Sequence, residues 1–510
     1  VTDDLADGRR WDEEHDVVVV GSGGGGLTAA WTAARAGLDV LLLEAAPLFG
    51  GTTSYSGGGM WFPGNRVLRD AGVGGTAAET GAYFRAVVGD RTPYDVQTAF
   101  LEGGAALVDD LLTDDDIELE PFPWPDYYGT VPGAQTVGQV RALPLDPAEL
   151  GPLADAVRPP LKTDRAGQPR PVPLAGGQAL IGRLLLSLSR RPNVTLRTEA
   201  PCLDLVADGG VVGVVTDGGR IRARRGVILA SGGFEQNADM RQEHGVPGSV
   251  SGAMGPSTNT GVPIRAAIAR GAATDLMDQA WWAPGIAHPD GTTSFSLWFT
   301  GGIFVDAAGR RFVNESLPYD RIGRAVIDAQ RDGSVGATYW MVYDDREGAV
   351  PPVRSTTLPL APHEEYVAAG LWRSADTLAG LADLIGVPPA NLEETVGRFN
   401  EHAAGGHDPD LGRGDEMYDR AFSGGDSPLV PIEKGPFHAA AFGLSDLGTK
   451  GGLRTDPDAR VLDRAGQPIP GLYATGNTMA AVSGTTYPAG GNPIAASMVF
   501  GHLAARHLSS

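Results

Sequence analysis

The sequence predicts an α/β chain: a doubly wound domain built from two chain segments, with an α+β domain inserted between them. Three observations predict it. Asp16 opens an apolar run, Val17 to Val20, that breaks into Gly21-Ser22-Gly23-Gly24-Gly25-Gly26 and an alanine-rich stretch ending at Gly37. Length, period and glycines read as strand, tight turn and helix. A second run, Val40 to Leu43, follows at once and ends on Glu44, completing half of a doubly wound unit. Far along the chain, Ile469 to Asn477 is again a buried-strand pattern ending in glycine, and the stretch from Asn492 reads as a helix. The C-terminus therefore returns to the first domain.

Between these landmarks the reading runs in order. From Ala142 to Gly177 the chain is rich in Pro and Gly without clear period, which predicts a surface excursion. Ala179 to Ser189 has helical spacing. Val194 to Ala230 alternates β-branched runs with the turn signals Asp208-Gly209-Gly210 and Asp217-Gly218-Gly219, predicting a β-meander that runs into Ser231-Gly232-Gly233. Between about Asp275 and Ala440 the texture changes, with irregular aromatics and helices expected at Ala375 to Ile385 and Leu392 to His402. The expected domain limits are 1–275 and 440–510 for the two segments of the first domain and 276–439 for the insert.

Composition narrows the function. A chain of 510 residues is too long for one ordinary domain. Its 40 Lys and Arg stand against 62 Asp and Glu, a formal net charge of -22 that repels nucleic acid and anionic lipid and favours a small-molecule partner. Glycine accounts for 73 residues, twice the usual share of about 7%. The single cysteine, Cys202, excludes an intrachain disulfide and any Cys-rich metal site, and fits a reducing cytoplasm. Residues 1–16 lack the basic and then apolar layout of an export leader, and no run of about 18 apolar residues predicts an integral membrane segment.

Gly21, Gly23 and Gly26 satisfy GxGxxG in a strand-to-helix context. The first permits the turn, the second lets a pyrophosphate approach the backbone at a helix N-terminus, and the third lets helix and strand pack closely. Glu44, 18 residues past Gly26, stands where a carboxylate can accept from ribose hydroxyls. NAD and FAD share this fingerprint. Gly50-Gly51-Thr52-Thr53-Ser54 adds amides and hydroxyls suited to a long cofactor, and the junctions Ala230 to Gly233 and Ala474 to Asn477 offer side-chain-free backbone to an isoalloxazine plane, so three glycine junctions favour FAD.

The segments GSGGGG, LLLEAAPLFGGTTSYSGG, GGIFVDAAGRRFVNE and IPGLYATGN resemble those of the flavoproteins that include fumarate reductase and 3-ketosteroid Δ1-dehydrogenase. Within that group PFPWPDYYG, LMDQAWWAPG, ESLPYDR and SGTTYPAGGNP resemble the 3-ketosteroid Δ1-dehydrogenases. The resemblance implies a Rossmann-like FAD-binding domain in two segments, an inserted catalytic domain, and desaturation of a 3-ketosteroid A-ring with an external electron acceptor. It implies Tyr487 and the Gly491 amide as donors to the ketone oxygen, Tyr319 as base for the carbon 2 proton and Tyr127 as its helper. Such a reaction needs a polarised ketone, because the carbon 2 proton is acidic only when the developing enolate is held by donors. The cofactor residues implied are Gly21, Gly23, Gly26, Glu44, Gly51, Thr52, Thr53, Ser54, Gly233, Gly476, Asn477, Asn492, Pro493 and Ile494. Substrate contacts are expected from Tyr127, Trp298, Phe299, Tyr319, Tyr487 and Gly491.

On residue chemistry alone, Asn492 and Pro493 start a helix whose free N–H groups point into a cleft, or merely start a capped helix with Tyr487 buried. Arg321 and Arg324 stand near enough in sequence to favour a Tyr319 phenolate. Trp124, Trp281, Trp282, Phe295, Trp298 and Phe299 read equally as core or as flat walls for a hydrocarbon ring system. Cys202 reads as inert filler and Asp114-Asp115-Asp116 as a solvated loop; no metal site is expected. The rivals are a fumarate reductase-like dicarboxylate enzyme, for which His288-Pro289 speaks, and a non-catalytic flavin-binding module.

Overall fold

The computed structural model describes residues 10–423 and 427–510. The reading of residues 1–16 as lacking a leader thus lies partly outside the described residues. The first sheet centres on β1 (Glu13–Val20), followed by α1 (Gly24–Arg35) and β2 (Val40–Leu43). After a long excursion come α2 (Gly177–Ser189), β3 (Val194–Arg197), β4 (Asp204–Ala207), β5 (Val211–Thr216) and β6 (Gly219–Leu229). The insert contributes β7 (Ala280–Ala287), β8 (Thr293–Phe299), β9 (Ile303–Val305), α3 (Tyr319–Arg331), β10 (Tyr339–Asp344), β11 (Val353–Thr356), β12 (Trp372–Ala375) and β13 (Phe437–Thr449). The chain closes with β14 (Arg460–Leu462), β15 (Pro468–Ala474) and α4 (Asn492–Ser509).

The first sheet runs β14-β15-β6-β1-β2-β3, and every pairing along this path except β14–β15 is parallel. Val17 to Val20 face Val40 to Leu43 on one side and Gly226 to Leu229 on the other. Strands covered on both faces read as continuous apolar runs, as these do, and each such buried side chain contributes about 1.5–3 kcal/mol. β15 joins the far side of β6, with Leu472 beside Val227, which is how the C-terminal segment returns. α1 and α4 cross at backbone contact: a Cβ on Gly25 would stand 2.7 Å from the Ser497 carbonyl, and one on Gly501 2.3 Å from that of Gly25.

The expected meander holds for β4, β5 and β6, which pair antiparallel, whereas β3 joins β2 in parallel because the apolar run of a βαβ crossover has the same texture as a hairpin strand. The excursion carries short helices at Pro147–Leu150 and Leu161–Ala166 and buries Leu145 and Leu174. Ala375 ends β12, and the helix beyond starts at Leu378, where the Thr377 hydroxyl caps the Gly380 amide at 3.1 Å. The next helix spans Pro389–Gly405.

The second sheet runs β9-β10-β13-β7-β8-β11, with β12 also pairing β13. β13 is its spine, bonded to β7, β10 and β12. The expected limit at 439/440 falls inside this strand.

Candidate active site

One cavity of about 670 Å³ runs between the two sheets. At one end its wall is the turn after β1. Gly21 has φ +104°, and a Cβ there would stand 2.2 Å from the Ala230 carbonyl; one on Gly26 would stand 2.0 Å from the Gly21 carbonyl. Both positions therefore require glycine, one for strand contact and one for helix contact. Gly23 differs: its Cβ would meet only the Thr53 hydroxyl, at 3.7 Å, and would project into the cavity. Gly24 donates to that hydroxyl at 3.1 Å. Gly23 offers α1 no side-chain cap, and with the Gly24 amide bonded to Thr53 it is the Gly25 and Gly26 amides that remain available to an anion beside the positive helix end.

Glu44 is buried at the end of β2. One carboxylate oxygen accepts from the Ser22 amide (3.1 Å) and hydroxyl (2.5 Å), the other from the Ala46 amide (2.9 Å). These contacts fix its rotamer and leave one acceptor site, on the oxygen facing Ala46, for a ribose hydroxyl. An uncapped helix start, a glycine whose missing Cβ leaves room, and an anchored carboxylate fit a dinucleotide.

The other end is built from phenols. Tyr319 is the first residue of α3, Tyr487 lies in the segment before α4, and Tyr127 sits in the loop after the strand Leu119–Phe122. The Tyr319 hydroxyl donates to that of Tyr487 at 3.0 Å, and Tyr127 meets both rings edge-on, with centroids 5.6 and 5.1 Å away. All three are buried, and burial pushes each phenol above its ordinary value; the Gly491 amide pulls Tyr487 in the opposite direction. The segment is held rigidly: Pro488 accepts from the Tyr127 amide (2.9 Å) and the Tyr83 hydroxyl (2.6 Å), and Thr486 from the Lys450 ammonium (2.5 Å). Gly491 has φ +75°, and a Cβ there would stand 2.4 Å from the Gly59 carbonyl. Glycine at 491 thus serves contact with the protein's own backbone as well as the open cavity.

The cavity wall includes Gly21, Gly23, Gly26, Glu44, Gly51, Thr52, Thr53, Gly476, Asn477, Pro493 and Ile494, together with Tyr127, Trp298, Tyr319, Tyr487 and Gly491. Four expected residues are not on it. Ser54 points back into the turn of Gly50. At Gly233 the glycine makes room for Thr449, whose hydroxyl would stand 2.1 Å from a Cβ. Asn492 is helical rather than a cap, since Gly491 occupies the cap position, and its side chain is buried beside a small separate hollow. Phe299 faces away from the cavity and packs on Phe304 and Phe442, at 5.3 and 5.9 Å, because neighbours along a strand alternate faces. The same alternation puts Trp281 on the wall and Trp282 under Arg324.

Arg321 and Arg324 do not face the phenols. They pair with Glu416 (2.7 Å) and Asp320 (2.8 Å). Asp114 is no solvated loop residue; it accepts from Trp31 (2.8 Å), Ser187 (2.7 Å) and Arg191 (2.9 Å). Cys202 lies on the wall with its thiol pushed up to about 12 by burial. His288 is off the wall, bonded to Ser294 (2.7 Å) and Tyr366 (2.8 Å). Among the described residues the one cationic side chain on the wall is Arg141, paired with Glu120 at 2.8 Å.

Sequence reasoning missed Lys450, fully buried 4.1 Å over the Trp281 ring, whose ammonium burial pushes well below its ordinary value. It also missed Asn259, which bridges Thr52 (3.2 Å) and the buried Glu235 (2.6 Å), a carboxyl pushed up to about 7 by burial. Neither lies in a motif; only the long-range fold brings Asn259 to the wall and Lys450 behind Trp281.

A groove that leads from a helix start and an anchored carboxylate to a buried phenol cluster defines a dinucleotide-binding oxidoreductase. The chain belongs to the FAD binding domain family, whose model matches residues 16–494. It is 35% identical to 3-oxosteroid 1-dehydrogenase of Mycolicibacterium smegmatis, with 98% of each chain covered. It is 36% identical to the Rhodococcus opacus enzyme of that name, over 98% of this chain and 99% of the relative. A crystal structure of 3-ketosteroid delta1-dehydrogenase from Sterolibacterium denitrificans, in complex with 1,4-androstadiene-3,17-dione, matches with a TM-score of 0.88 at 31% identity, covering 98% of this chain and 99% of that one.

Proposed function

We propose that the protein is an FAD-dependent oxidoreductase that introduces the 1,2 double bond into the A-ring of 3-ketosteroids. The observation that carries this reading is the 3.0 Å contact between the Tyr319 and Tyr487 hydroxyls, buried beside the Gly491 amide at the end of a glycine-walled groove. The Gly23, Gly25 and Gly26 amides bind the pyrophosphate and Glu44 the ribose. Gly51, Thr52, Thr53, Gly476, Asn477, Pro493 and Ile494 line the remaining length of the cofactor. Bound FAD supplies the acceptor for the hydride that leaves carbon 1.

Tyr487 and the Gly491 amide hold the ketone oxygen as charge develops on it, among buried aromatic rings. Tyr319 takes the proton from carbon 2. Burial opposes its ionised form, so its task becomes easier as the pH rises. Trp281, Phe295 and Trp298 give the ring system flat contacts. A dicarboxylate would need converging cations, and among the described residues the wall carries only the paired Arg141.

Two finer readings go with this one: a cytoplasmic location, and an external electron acceptor that reoxidises the cofactor. No helix among the described residues is long and apolar enough to cross a membrane. Anaerobic mixing of the holoprotein with a 3-keto-4-ene steroid is expected to bleach the flavin and yield the 1,4-diene. Turnover of fumarate with no bleaching by steroid overturns the proposal.

A further inference from the structure

Behind the cavity wall, between the glycine turn and the phenols, stands a carboxyl for which the fold makes room. Glu235 is 0% exposed. A Cβ would stand 2.7 Å from its Oε2 at Gly233, 2.0 Å from its Oε1 at Gly255 and 3.4 Å from Oε1 at Gly448, so glycines from three segments keep its space. Nδ2 of Asn259 donates to Oε1 at 2.6 Å and to the Thr52 hydroxyl at 3.2 Å. Both amide hydrogens are thereby used, and the Thr52 hydroxyl proton has no acceptor among the described residues. Thr52 and Asn259 lie on the wall, and the neighbouring Thr53 accepts from Gly24 at the start of α1. Towards the other end, a Cβ on Gly448 would also stand 2.7 Å from Nδ2 of Asn477, whose Oδ1 accepts from Trp281 at 3.1 Å. Trp281 in turn packs on Tyr487, with ring centroids 4.9 Å apart. The carboxyl therefore backs the stretch of wall that a cofactor reaching from the turn to the phenols has to pass.

The charged groups packed around Glu235 leave it without a cation. Arg241 and Asp446, both buried, pair with each other at 2.8 Å, and Arg241 reaches only the main-chain carbonyl of Glu235, at 3.5 Å. Arg165 donates to the carbonyls of Ala253 and Gly255, and Lys450, next to Thr449, to that of Thr486. His244 lies against the Phe234 ring, with centroids 5.7 Å apart. Oε2 faces the Thr449 amide at 3.4 Å. A buried carboxylate held by N–H donors and no cation responds strongly to a change of charge beside it, because the surroundings screen little.

We propose that Glu235 is a positioning residue that also exchanges a proton with solvent each time the cofactor gains or loses an electron pair. The inference rests on bound FAD and stands apart from the steroid reading. The carboxyl turns the Asn259 amide towards Thr52, which leaves the Thr52 O–H to donate to the cofactor. A hydride brings the cofactor two electrons and one proton, hence one negative charge. The Glu235 carboxylate then takes a proton from solvent, forming its O–H bond. It returns that proton to solvent when an external two-electron acceptor withdraws the pair and the cofactor sheds its own proton. Burial pushes the carboxyl up to about 7, so it is ionised above that pH in the oxidised protein. Negative charge on the cofactor favours the protonated form, and uptake therefore falls above about pH 7 and not below, where the carboxyl already holds its proton.

The test is the flavin midpoint potential of the holoprotein, titrated against a redox dye without steroid, below and above about pH 7. One extra proton per electron pair changes the reduction equilibrium tenfold per pH unit, about 30 mV for a two-electron couple. Above about pH 7 the potential of the parent is expected to fall with pH more steeply than that of Glu235→Gln by this amount. The variant, which lacks the negative charge, is reduced more readily at alkaline pH. A pH-indicator dye records one more proton taken up by the parent per electron pair in the same range. Asn259→Leu removes a donor to the ionised form and moves the start of the steeper range to higher pH. A change in packing alone shifts the potential and leaves the proton count as it was. A parent that takes up only the one proton of the hydride per electron pair above pH 7 overturns the inference, whatever becomes of the variants, and so does a count that Glu235→Gln leaves unchanged. A parent that no steroid bleaches overturns the desaturation reading and leaves these counts standing.

Discussion

The two ends of the cavity are built on opposite principles. The nucleotide end is made of backbone: a turn, a helix start and one carboxylate, all within Gly21 to Glu44, with hydroxyls from Thr52 and Thr53 close behind. The phenol end is made of side chains, and Tyr127, Tyr319 and Tyr487 are brought together across hundreds of residues. Backbone donors aimed by local geometry can hold a conserved charge such as a pyrophosphate wherever the turn forms. A hydroxyl pair poised for proton transfer exists only if both sheets, α3 and the segment before α4 are in register. Binding and chemistry should therefore be separable by mutation.

The largest separation is expected from Tyr319→Phe, which removes the proposed base: flavin reduction by steroid falls on the order of a thousandfold while flavin content stays as in the parent. A comparable loss of bound flavin would show that the two ends are not independent. Tyr487→Phe is expected to cost roughly a hundred- to a thousandfold in the same stopped-flow measurement, because one of the proposed donors to the enolate oxygen is lost. The pH profile sharpens the comparison from another side. Burial raises the Tyr319 phenol, so the ionised form grows with pH and the reduction rate should climb about tenfold per unit until that group titrates, whereas flavin affinity should not follow it.

At the nucleotide end, Glu44→Gln weakens contacts to a charged acceptor, and FAD affinity measured by fluorescence titration is expected to fall about tenfold, with the rate at saturating cofactor preserved. The smallest effect is expected for Phe299→Leu. That ring lies in the core of the second sheet, so the melting temperature should drop by a few degrees, about 1 kcal/mol or slightly more, with steroid kinetics unchanged. A shift in KM would put residue 299 back on the cavity wall.

Legibility followed the same division. The strand, turn and helix of Val17 to Arg35, the strand Val40–Leu43 and the final helix from Asn492 were readable because apolar runs, glycines and period are local signals. Trp281 against Trp282, and Trp298 against Phe299, were not separable, since one residue of shift exchanges wall for core and only strand register decides it. The expected limit at residue 440 failed to respect β13 because a strand that serves as the spine of a second sheet has the same apolar texture as one that returns to the first.

By itself the sequence determined that this is a doubly wound α/β protein with a glycine-rich strand-to-helix turn at Gly21 to Gly26 and a carboxylate ending the second strand at Glu44, because these depend on residues that interact with near neighbours. The tertiary structure alone decided that Tyr319 donates to Tyr487, that Lys450 lies buried over the Trp281 ring, and that Arg321 and Arg324 are spent on carboxylates. Those relations depend on distances between segments far apart in the chain, and such distances are set by how two sheets pack, not by the identity of any one residue.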